Sequence, residues 1–215
     1  MVRTAAKLIA KRLYEAGCRY ALGIHGSEVL NMMRAWEEAG IEFVLVKHEN
    51  AGGFMAEGTF HATGAPGVLL ATIGPGLTHA VNVVANAAQD RVPLILLTGA
   101  FDAAQAQSYT HQVLDHVALM KTVAKASFTL VDGAVDVIID KAVSIAMGPR
   151  PGPVHIDVPT LLAPIEQKIT AFTRRVQPAP MAPAPGPDLT FARNLLAGAQ
   201  RPIMIAGVEV LEHDA

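Results

Sequence analysis

Charge and cysteine are scarce in this chain. Of its 215 residues only 17% are charged, the formal net charge is -2, and 51% are hydrophobic. A balanced charge without a basic cluster argues against a nucleic-acid-binding protein, and the high apolar content argues against a disordered one. The single cysteine, Cys18, cannot form an internal disulfide, which favours a reducing compartment. We therefore expect a folded cytoplasmic protein with no nucleic-acid partner.

Long uninterrupted apolar runs are also missing. Residues 1–14 carry four basic side chains among apolar ones, whereas a secretory signal needs a continuous apolar centre. No run approaches the roughly 20 apolar residues that a membrane helix requires. The sequence therefore predicts neither a targeting signal nor a membrane association.

Helical periods alternate with short apolar runs along most of the chain. Repeated strand–helix units with continuously apolar strands are typical of a parallel sheet that is covered on both faces. The pattern predicts an α/β protein with an open, mostly parallel sheet and helices on both faces. The predicted helices are 5–16, 29–39, 50–61, 77–89, 112–121, 134–147 and 189–197, and the predicted strands are 20–24, 42–46, 68–72, 93–98, 127–131, 153–157 and 202–206.

Proline is concentrated near the end of the sequence. Prolines recur from Gln177 to Pro187, and such alternation favours an extended linker. The single helix and strand predicted after it cannot bury a core by themselves. We expect a first domain over residues 1–165, a Pro-rich linker over 166–187 and the start of an incomplete central α/β domain over 188–215.

An acidic residue follows one of the predicted strands. Glu49 stands where the strand 42–46 has ended and a helix begins, and ligands of parallel sheets bind beyond the carboxyl ends of the strands. A helix start also stabilises a carboxylate, and the small residues 51–53 allow a backbone or a ligand to approach closely. Glu49 is either an ordinary helix-start acid or part of a site.

Two glycine-containing turns follow other predicted strands. Gly74-Pro75-Gly76 opens a helix, and His25-Gly26 follows the first strand. Glycines at such places suit a close approach to a ligand or a phosphate, but a tight turn explains them equally well. His25 is either a structural polar residue or an acid–base group.

Several motifs that would indicate other functions are absent. No Gly-x-Gly-x-x-Gly or P-loop pattern occurs, which disfavours a dinucleotide-binding domain, and no Gly-x-Ser-x-Gly elbow occurs. His111 and His116 are five residues apart and do not share a helix face, so no metal-ligand set is predicted within this chain.

Taken in order, these segments resemble the thiamine-diphosphate-dependent enzymes that include acetolactate synthase, pyruvate oxidase, pyruvate decarboxylase and benzoylformate decarboxylase. Each motif is weak alone, but the ordered set is specific and extends from residue 1 to about residue 162. The matching segments are Gly17 to Gly26, His48-Glu49, Ala56 to Gly58, Ala62 to Val68, Gly74 to Thr78, Asp90 to Leu94, Thr98-Gly99, Arg150 to Val154 and Ile156 to Pro159.

The resemblance implies the pyrimidine-binding fold of that family and a role for each matched residue. The family's glutamate hydrogen-bonds the aminopyrimidine ring of thiamine diphosphate and helps to deprotonate the thiazolium carbon, which then attacks a 2-oxo acid. By this resemblance Glu49, Gln112 and His25 are catalytic, and the cofactor contacts are Glu49, His25, Gly26, Gly74, Pro75 and His79.

The sequence departs from the family at several positions. Added histidines near the pocket put a standard acetolactate synthase reaction in doubt and predict a divergent member with another 2-oxo acid as its substrate. In this sequence His25-Gly26 replaces a Pro-Gly turn, Asn50 replaces a glutamine, His79 replaces an asparagine, and His111-Gln112-Val113 replaces Phe-Gln-Glu.

The other half of the family's site is not found in this sequence. The family holds the diphosphate and Mg²⁺ with a later Gly-Asp-Gly…Asn segment, and no such segment occurs here. The resemblance thus implies Mg²⁺ bound outside this chain and a homodimer or homotetramer, and it leaves FAD open. The alternative is a non-catalytic pseudo-enzyme or dimerisation module, although such a scaffold would have no need of Glu49.

Overall fold

The computed structural model describes residues 2–169 and 184–207, and the chain divides into two compact units, Met1–Gln177 and Pro178–Ala215. Its strands are β1 (Val2–Thr4), β2 (Tyr20–Gly23), β3 (Glu42–Leu45), β4 (Gly67–Ala71), β5 (Leu94–Ala100), β6 (Ala126–Thr129), β7 (Val154–Pro159) and β8 (Glu166–Lys168), and its helices are α1 (Ala5–Glu15), α2 (Leu30–Ala39), α3 (Glu49–Thr63), α4 (Pro75–Asp90), α5 (Gln105–Ser108), α6 (His116–Met120), α7 (Val135–Met147) and α8 (Pro187–Gly198).

Six strands form one sheet in the order β3-β2-β4-β5-β7-β6, and every neighbouring pair is parallel. The three strands β4, β5 and β7 are buried along their whole length. Such continuously apolar strands are expected where helices cover both faces of a parallel sheet. The predicted α/β class with a parallel sheet is confirmed.

Alternate residues of the central strands face two different helix layers. Val68 and Leu70 belong to a core with α1, α2 and α7, whereas Leu69 and Ala71 belong to a core with α3 and α4. Successive side chains of a strand point to opposite faces, so one sheet separates two cores. Each buried leucine in these layers contributes about 1.5–3 kcal/mol relative to an exposed one. The helices expected on both faces are confirmed.

A small antiparallel ribbon was missed by the sequence analysis. β1 pairs with β8, with Arg3 opposite Gln167. Gln167 is 2% exposed, and its side chain donates to Asp132 and accepts from the backbone of Gly133. The structure thus has a strand at the start of the segment expected to be a linker, because three residues with one buried side chain show no clear period. The domain boundaries themselves stay a prediction.

The loop after β5 differs from its prediction. A helix was expected over 112–121, but α6 begins only at His116. Gln112 has φ +59, which is incompatible with a helical residue, and Asp115 caps the helix by accepting the N–H of Ala118 at 2.9 Å. The early start was therefore wrong, because the capping aspartate was not recognised.

In the second unit, α8 confirms the helix predicted over 189–197. The strand predicted over 202–206 was wrong. Ile203, Met204 and Ile205 are 90% exposed or more, since no neighbouring strand among the described residues pairs with this segment. Most of the Pro-rich linker, residues 170–183, lies outside the described residues.

Candidate functional site

Three loops meet at the carboxyl edge of the sheet. β2 lies between β3 and β4, so the chain leaves β2 to one side and later returns on the other side. In open parallel sheets this reversal of strand order opens a crevice beyond the carboxyl ends, where ligands bind. The segments that follow β2, β3 and β4 contain His25-Gly26, Glu49 and Gly74-Pro75-Gly76, as the sequence predicts.

Glu49 is the first residue of α3 and is only 4% exposed. The residue before it, His48, caps the helix, because its Nδ1 accepts the N–H of Asn50 at 3.2 Å. The free N–H groups and the dipole at a helix start stabilise a carboxylate. The local sequence therefore places a buried acid at the edge of the crevice.

Two histidines lie beside this acid. His79, from the first turns of α4, has its Nδ1 3.2 Å from Oε2 of Glu49 and remains 54% exposed at its side chain. Its ring centre is 4.9 Å from that of His48. His79, which replaces the family's asparagine, therefore contacts the acid at the centre of the predicted site.

The Gly74-Pro75-Gly76 turn comes close to the same acid. Gly74 adopts φ +60 and ψ -102, which L side chains rarely adopt, and Pro75 occupies the first turn of α4. A Cβ on Gly76 would lie 2.5 Å from Oγ1 of Thr72 and 3.4 Å from Oε1 of Glu49. The glycines thus permit a narrow turn that packs closely against Thr72 and Glu49.

The other predicted site residues line the neighbouring loops. A Cβ on Gly26 would lie 2.6 Å from Cγ2 of Thr72, so the turn after β2 abuts the turn after β4. His25 is exposed, and Gln112 is half-buried. The backbone oxygen of Gln112 would lie 2.5 Å from a Cβ on Gly74. Among the described residues, neither His25 nor Gln112 has a hydrogen bond to Glu49, and their catalytic roles stay predictions.

Sequence reasoning missed a buried hydrogen-bond network behind the Gly74 turn. Nε2 of His116 accepts the N–H of Gly74 at 3.0 Å, and Nδ1 lies 2.6 Å from Oδ1 of Asp157. Because Nε2 accepts, the proton of a neutral ring is on Nδ1 and is donated to Asp157. His116 is therefore a neutral bridge between the sheet and the turn.

Further members of this network lie on adjacent strands. Thr98 is paired in register with Asp157 and donates its hydroxyl to Oδ1 at 2.6 Å. The ring of His155 lies between the hydroxyls of Thr98 and Ser127, at 2.8 and 2.6 Å. The polar His155 and Asp157, two apart in an apolar strand, were the available signal for this network, since alternate residues share a face.

Burial alone would raise the pKa of the Asp157 carboxyl, but the hydrogen bonds from His116 and His155 hold this pKa well below its usual range. Asp157 is therefore ionised at neutral pH, and the centre of the sheet carries a negative charge. A buried charge persists only where hydrogen bonds compensate its lost hydration.

Two groups of side chains have the spacing of metal ligands. The atoms of His48, Glu49 and His79 lie within 4.8 Å of one another. So do those of a second group, His116, His155 and Asp157, whose members already hydrogen-bond within the buried network. Both groups join residues that are distant in sequence, so chain spacing did not indicate them. The expectation that this chain binds no metal stays a prediction.

Comparison with known proteins agrees with this geometry. The family described as "Thiamine pyrophosphate enzyme, N-terminal TPP binding domain" matches residues 3–119, more than half of the chain. The chain therefore belongs to the thiamine-pyrophosphate-dependent enzymes and contains their N-terminal cofactor-binding domain. In the part of the chain that the structure describes, no helix has the length and apolarity to cross a membrane.

Individual relatives fall into several branches of the family. The chain is 36% identical over 159 residues, 73% of its length, to acetolactate synthase isozyme 3 large subunit of Escherichia coli, covering 28% of that protein. It is 31% identical over 95% of its length to the probable 2-ketoarginine decarboxylase AruI of Pseudomonas aeruginosa and 29% identical over 95% to 2-hydroxyacyl-CoA lyase 1 of Mus musculus, covering 37% and 36% of them. The chain thus spans at most little more than a third of the length of these relatives.

Proposed function

We propose that this chain is the pyrimidine-binding part of an enzyme that decarboxylates or ligates 2-oxo acids with thiamine diphosphate, in the manner of acetolactate synthase. The observation that carries the proposal is the buried carboxylate of Glu49 at the carboxyl edge of the sheet, within the region that matches the family. The relatives are named a synthase, a decarboxylase and a lyase, so they support the cofactor more strongly than any one substrate.

The residues present fit the aminopyrimidine ring of this cofactor. Glu49 offers a carboxylate that is removed from water, and Gly76 leaves the space beside Oε1 free of a side chain. The Gly74-Pro75-Gly76 turn can present backbone groups to a flat ring, and His25-Gly26 borders the same crevice. An acid at a helix start and an adjacent glycine turn together make a pocket for a planar, hydrogen-bonding group.

Each residue then has a definite task. Thiamine diphosphate, when bound, supplies the electron sink for decarboxylation of a 2-oxo acid. Glu49 would hold the ring through its carboxylate oxygens and could share a proton with one of its nitrogens, and His79 orients that carboxylate through its contact with Oε2. Gln112 and His25, on loops at the same edge, are assigned to the reacting centre.

The remaining parts of the site are assigned to other segments. We place the diphosphate and Mg²⁺ on residues outside this chain, because no Gly-Asp-Gly segment occurs in it. A site divided between two segments of this kind supports a homodimer or homotetramer, and the single cysteine supports a cytoplasmic location. A bound flavin would be recognised by the absorption spectrum of the purified complete protein.

The Glu49→Gln variant of the complete protein tests the proposal. It keeps the shape of the side chain but removes the carboxylate, and we expect turnover of 2-oxo acids to fall by about 10²-fold or more, as for loss of a general acid–base group. Glu57→Gln is the matched control, because Glu57 is a buried glutamate of the same helix. Its turnover should stay near that of the unmodified enzyme.

The two functional readings give opposite results in this experiment. Turnover that survives Glu49→Gln, with the fold intact by circular dichroism, would refute the assigned role of Glu49. A complete protein that binds no thiamine diphosphate and turns over no 2-oxo acid would support the non-catalytic module instead.

A further inference from the structure

A cavity of about 170 Å³ lies beside the carboxyl ends of β5, β6 and β7. Ala100, Thr129 and Asp157 line it from the strands, Ile73 lines it from the turn after β4, and the segment 113–117 also borders it. Glu49 is not among its lining residues. The cavity therefore does not include the acid of the crevice in which the cofactor is proposed to bind.

The cavity wall is mixed, with polar and apolar surface in similar amounts. Ile73, Phe101 and Leu114 contribute side chains that a hydrocarbon or aromatic group could contact. Polar side chains of the wall come from Asp115, His116, Thr129 and Asp157. A wall of this kind suits a small ligand with an apolar body and a single polar group, since a few placed polar atoms fix the orientation of a ligand.

Asp157 has an acceptor atom that the protein does not use. The residue is 5% exposed, and its contacts with Thr98, His116 and His155 all end on Oδ1. Within residues 2–169 and 184–207, Oδ2 has no hydrogen-bond partner. A donor placed in the cavity would satisfy this oxygen.

The charge of the cavity wall is negative. Asp115 and Asp157 both line it, and among the described residues neither a lysine nor an arginine does. His116 does not compensate the charge, because Nε2 accepts the N–H of Gly74 and the ring is therefore neutral. A buried anion needs a countercharge or dense hydrogen bonding. The wall would thus repel an anion and attract a cation.

We propose that this cavity binds a small organic cation, of the amidinium, guanidinium or alkylammonium class, whose N–H groups donate to Oδ2 of Asp157 while its apolar part contacts Ile73 and Phe101. This assignment goes beyond the proposed function; binding of an independent cation does not depend on that function, whereas binding of a substrate side chain rests on it. The cation could belong to a substrate side chain or to an independent small molecule, and both present the same chemistry.

Calorimetric titration of this chain with benzamidine and benzamide tests the proposal, because the two molecules share a shape but only benzamidine is a cation. We expect benzamidine to bind about tenfold or more tightly than benzamide, as for one charge-assisted hydrogen bond. Asp157→Asn keeps the acceptor Oδ1 and should abolish the preference. Asp188→Asn, an exposed position in α8, should retain it.

Equal affinities, no benzamidine binding, or a preference that persists in Asp157→Asn would each overturn the proposal. If Asp157→Asn fails to fold, Ala106→Leu fills the cavity without altering the carboxylate and should weaken benzamidine binding about tenfold or more; unchanged binding in that variant is again a refutation. A ¹⁵N NMR spectrum with both ring nitrogens of His155 protonated would also overturn it, because His155 would then supply the countercharge.

The complete enzyme distinguishes the two sources of the cation. Inhibition by benzamidine that a high concentration of the 2-oxo acid relieves would assign the cavity to a cationic substrate side chain. Inhibition that the 2-oxo acid does not relieve would assign it to an independent ligand. The titration of the chain itself needs no activity, so its result stands even if the proposed function fails.

Discussion

Single buried polar residues determine the shape of the crevice. Glu49 contacts His79 on one side of the Gly74-Pro75-Gly76 turn, and His116 accepts the N–H of Gly74 on another. Each of these contacts joins side chains or backbone groups of different elements, and Gly74 and Glu49 are both buried. Loss of one side chain therefore leaves a buried atom unsatisfied, which costs more than the bond contributes.

The His116→Leu variant should destabilise the chain by about 1–3 kcal/mol, because the N–H of Gly74 loses its acceptor in a buried position. Urea unfolding measures this difference. His61→Leu, at an exposed position of α3, is the control and should change stability by less than about 0.5 kcal/mol. A His116→Leu variant as stable as the control would mean that the network does not restrain the turn.

The same residue should matter for cofactor binding. If His116 positions the Gly74 turn, His116→Gln in the complete enzyme should weaken thiamine diphosphate binding while kcat at saturating cofactor changes little. A residue that only stabilised the fold would not produce this separation.

The Glu57→Gln variant should be more stable than the unmodified chain at neutral pH. Burial raises the pKa of the Glu57 carboxyl, and the hydrogen bond from Asn86 opposes this shift only in part. The folded-state pKa of Glu57 exceeds the unfolded value of 4.5. Ionisation of Glu57 therefore lowers the stability of the folded chain as the pH rises from the unfolded-state pKa through the folded-state pKa. We expect a gain in stability at pH 7, which disappears below pH 4.5.

Thermal unfolding of the two proteins between pH 4 and pH 7 measures this difference. Glu37→Gln, at an exposed position of α2, should show no such pH-dependent gain. Equal stability of Glu57→Gln and the unmodified chain at pH 7 would contradict the prediction.

At the scale of elements, α3 and α4 pack against each other unusually closely. A Cβ on Gly53 would lie 2.2 Å from Cγ1 of Val83, which belongs to α4. A Cβ on Gly52, on the same helix, would lie 3.0 Å from Cγ2 of Val46, which follows β3. The sequence analysis allowed these glycines either a ligand or a packing role, and the structure shows packing. This contact holds Glu49 and His79, which start neighbouring helices, at hydrogen-bond distance.

Substitution of Gly53 by alanine should therefore destabilise the chain by about 1–3 kcal/mol, since a methyl group must displace Val83. Gly58→Ala is the matched control in the same helix, because a Cβ there meets nothing within 4 Å. It should stabilise the chain by about 0.5–1 kcal/mol. Denaturant unfolding measures the free energy of unfolding of both variants. Equal changes in the two variants would refute the packing role of Gly53.

At the scale of the whole molecule, the chain divides after Gln177. The first unit is closed by the β1–β8 ribbon, in which Gln167 is buried and hydrogen-bonded to residues 132 and 133. The second unit contains α8, none of whose residues is buried. The stability of the chain therefore resides in the first unit.

A chain that ends at residue 177 should unfold within about 0.5 kcal/mol of the 215-residue chain, whereas one that ends at residue 165 should lose about 2 kcal/mol or more with β8. Thermal unfolding of the three proteins measures this. Equal stability of the two shortened chains would show that the ribbon contributes nothing.

Much of the fold could be predicted because its cause is local in sequence. The strand 68–71 is apolar at every position, and the helix after it has a clear helical period. The predicted fold class and the predicted helices on both faces of the sheet were therefore confirmed. The start of α6 and the strand 202–206 were wrong, since a capping residue and a pairing partner decide them. The ribbon of β1 and β8 was missed because its strands are short and far apart in sequence.

Sequence by itself determined the parallel α/β sheet, the position of the candidate site residues at three strand ends and, through the order of the motifs, the family. These follow from periodicity and from the geometry of parallel sheets, in which carboxyl ends meet at one edge. Only the tertiary structure decided that His79 contacts Glu49, that His116 links Asp157 to the Gly74 turn, and that a cavity with an unpaired carboxylate oxygen lies behind it. Such contacts join residues 30 to 42 positions apart, and distances of that kind depend on how helices pack on the sheet.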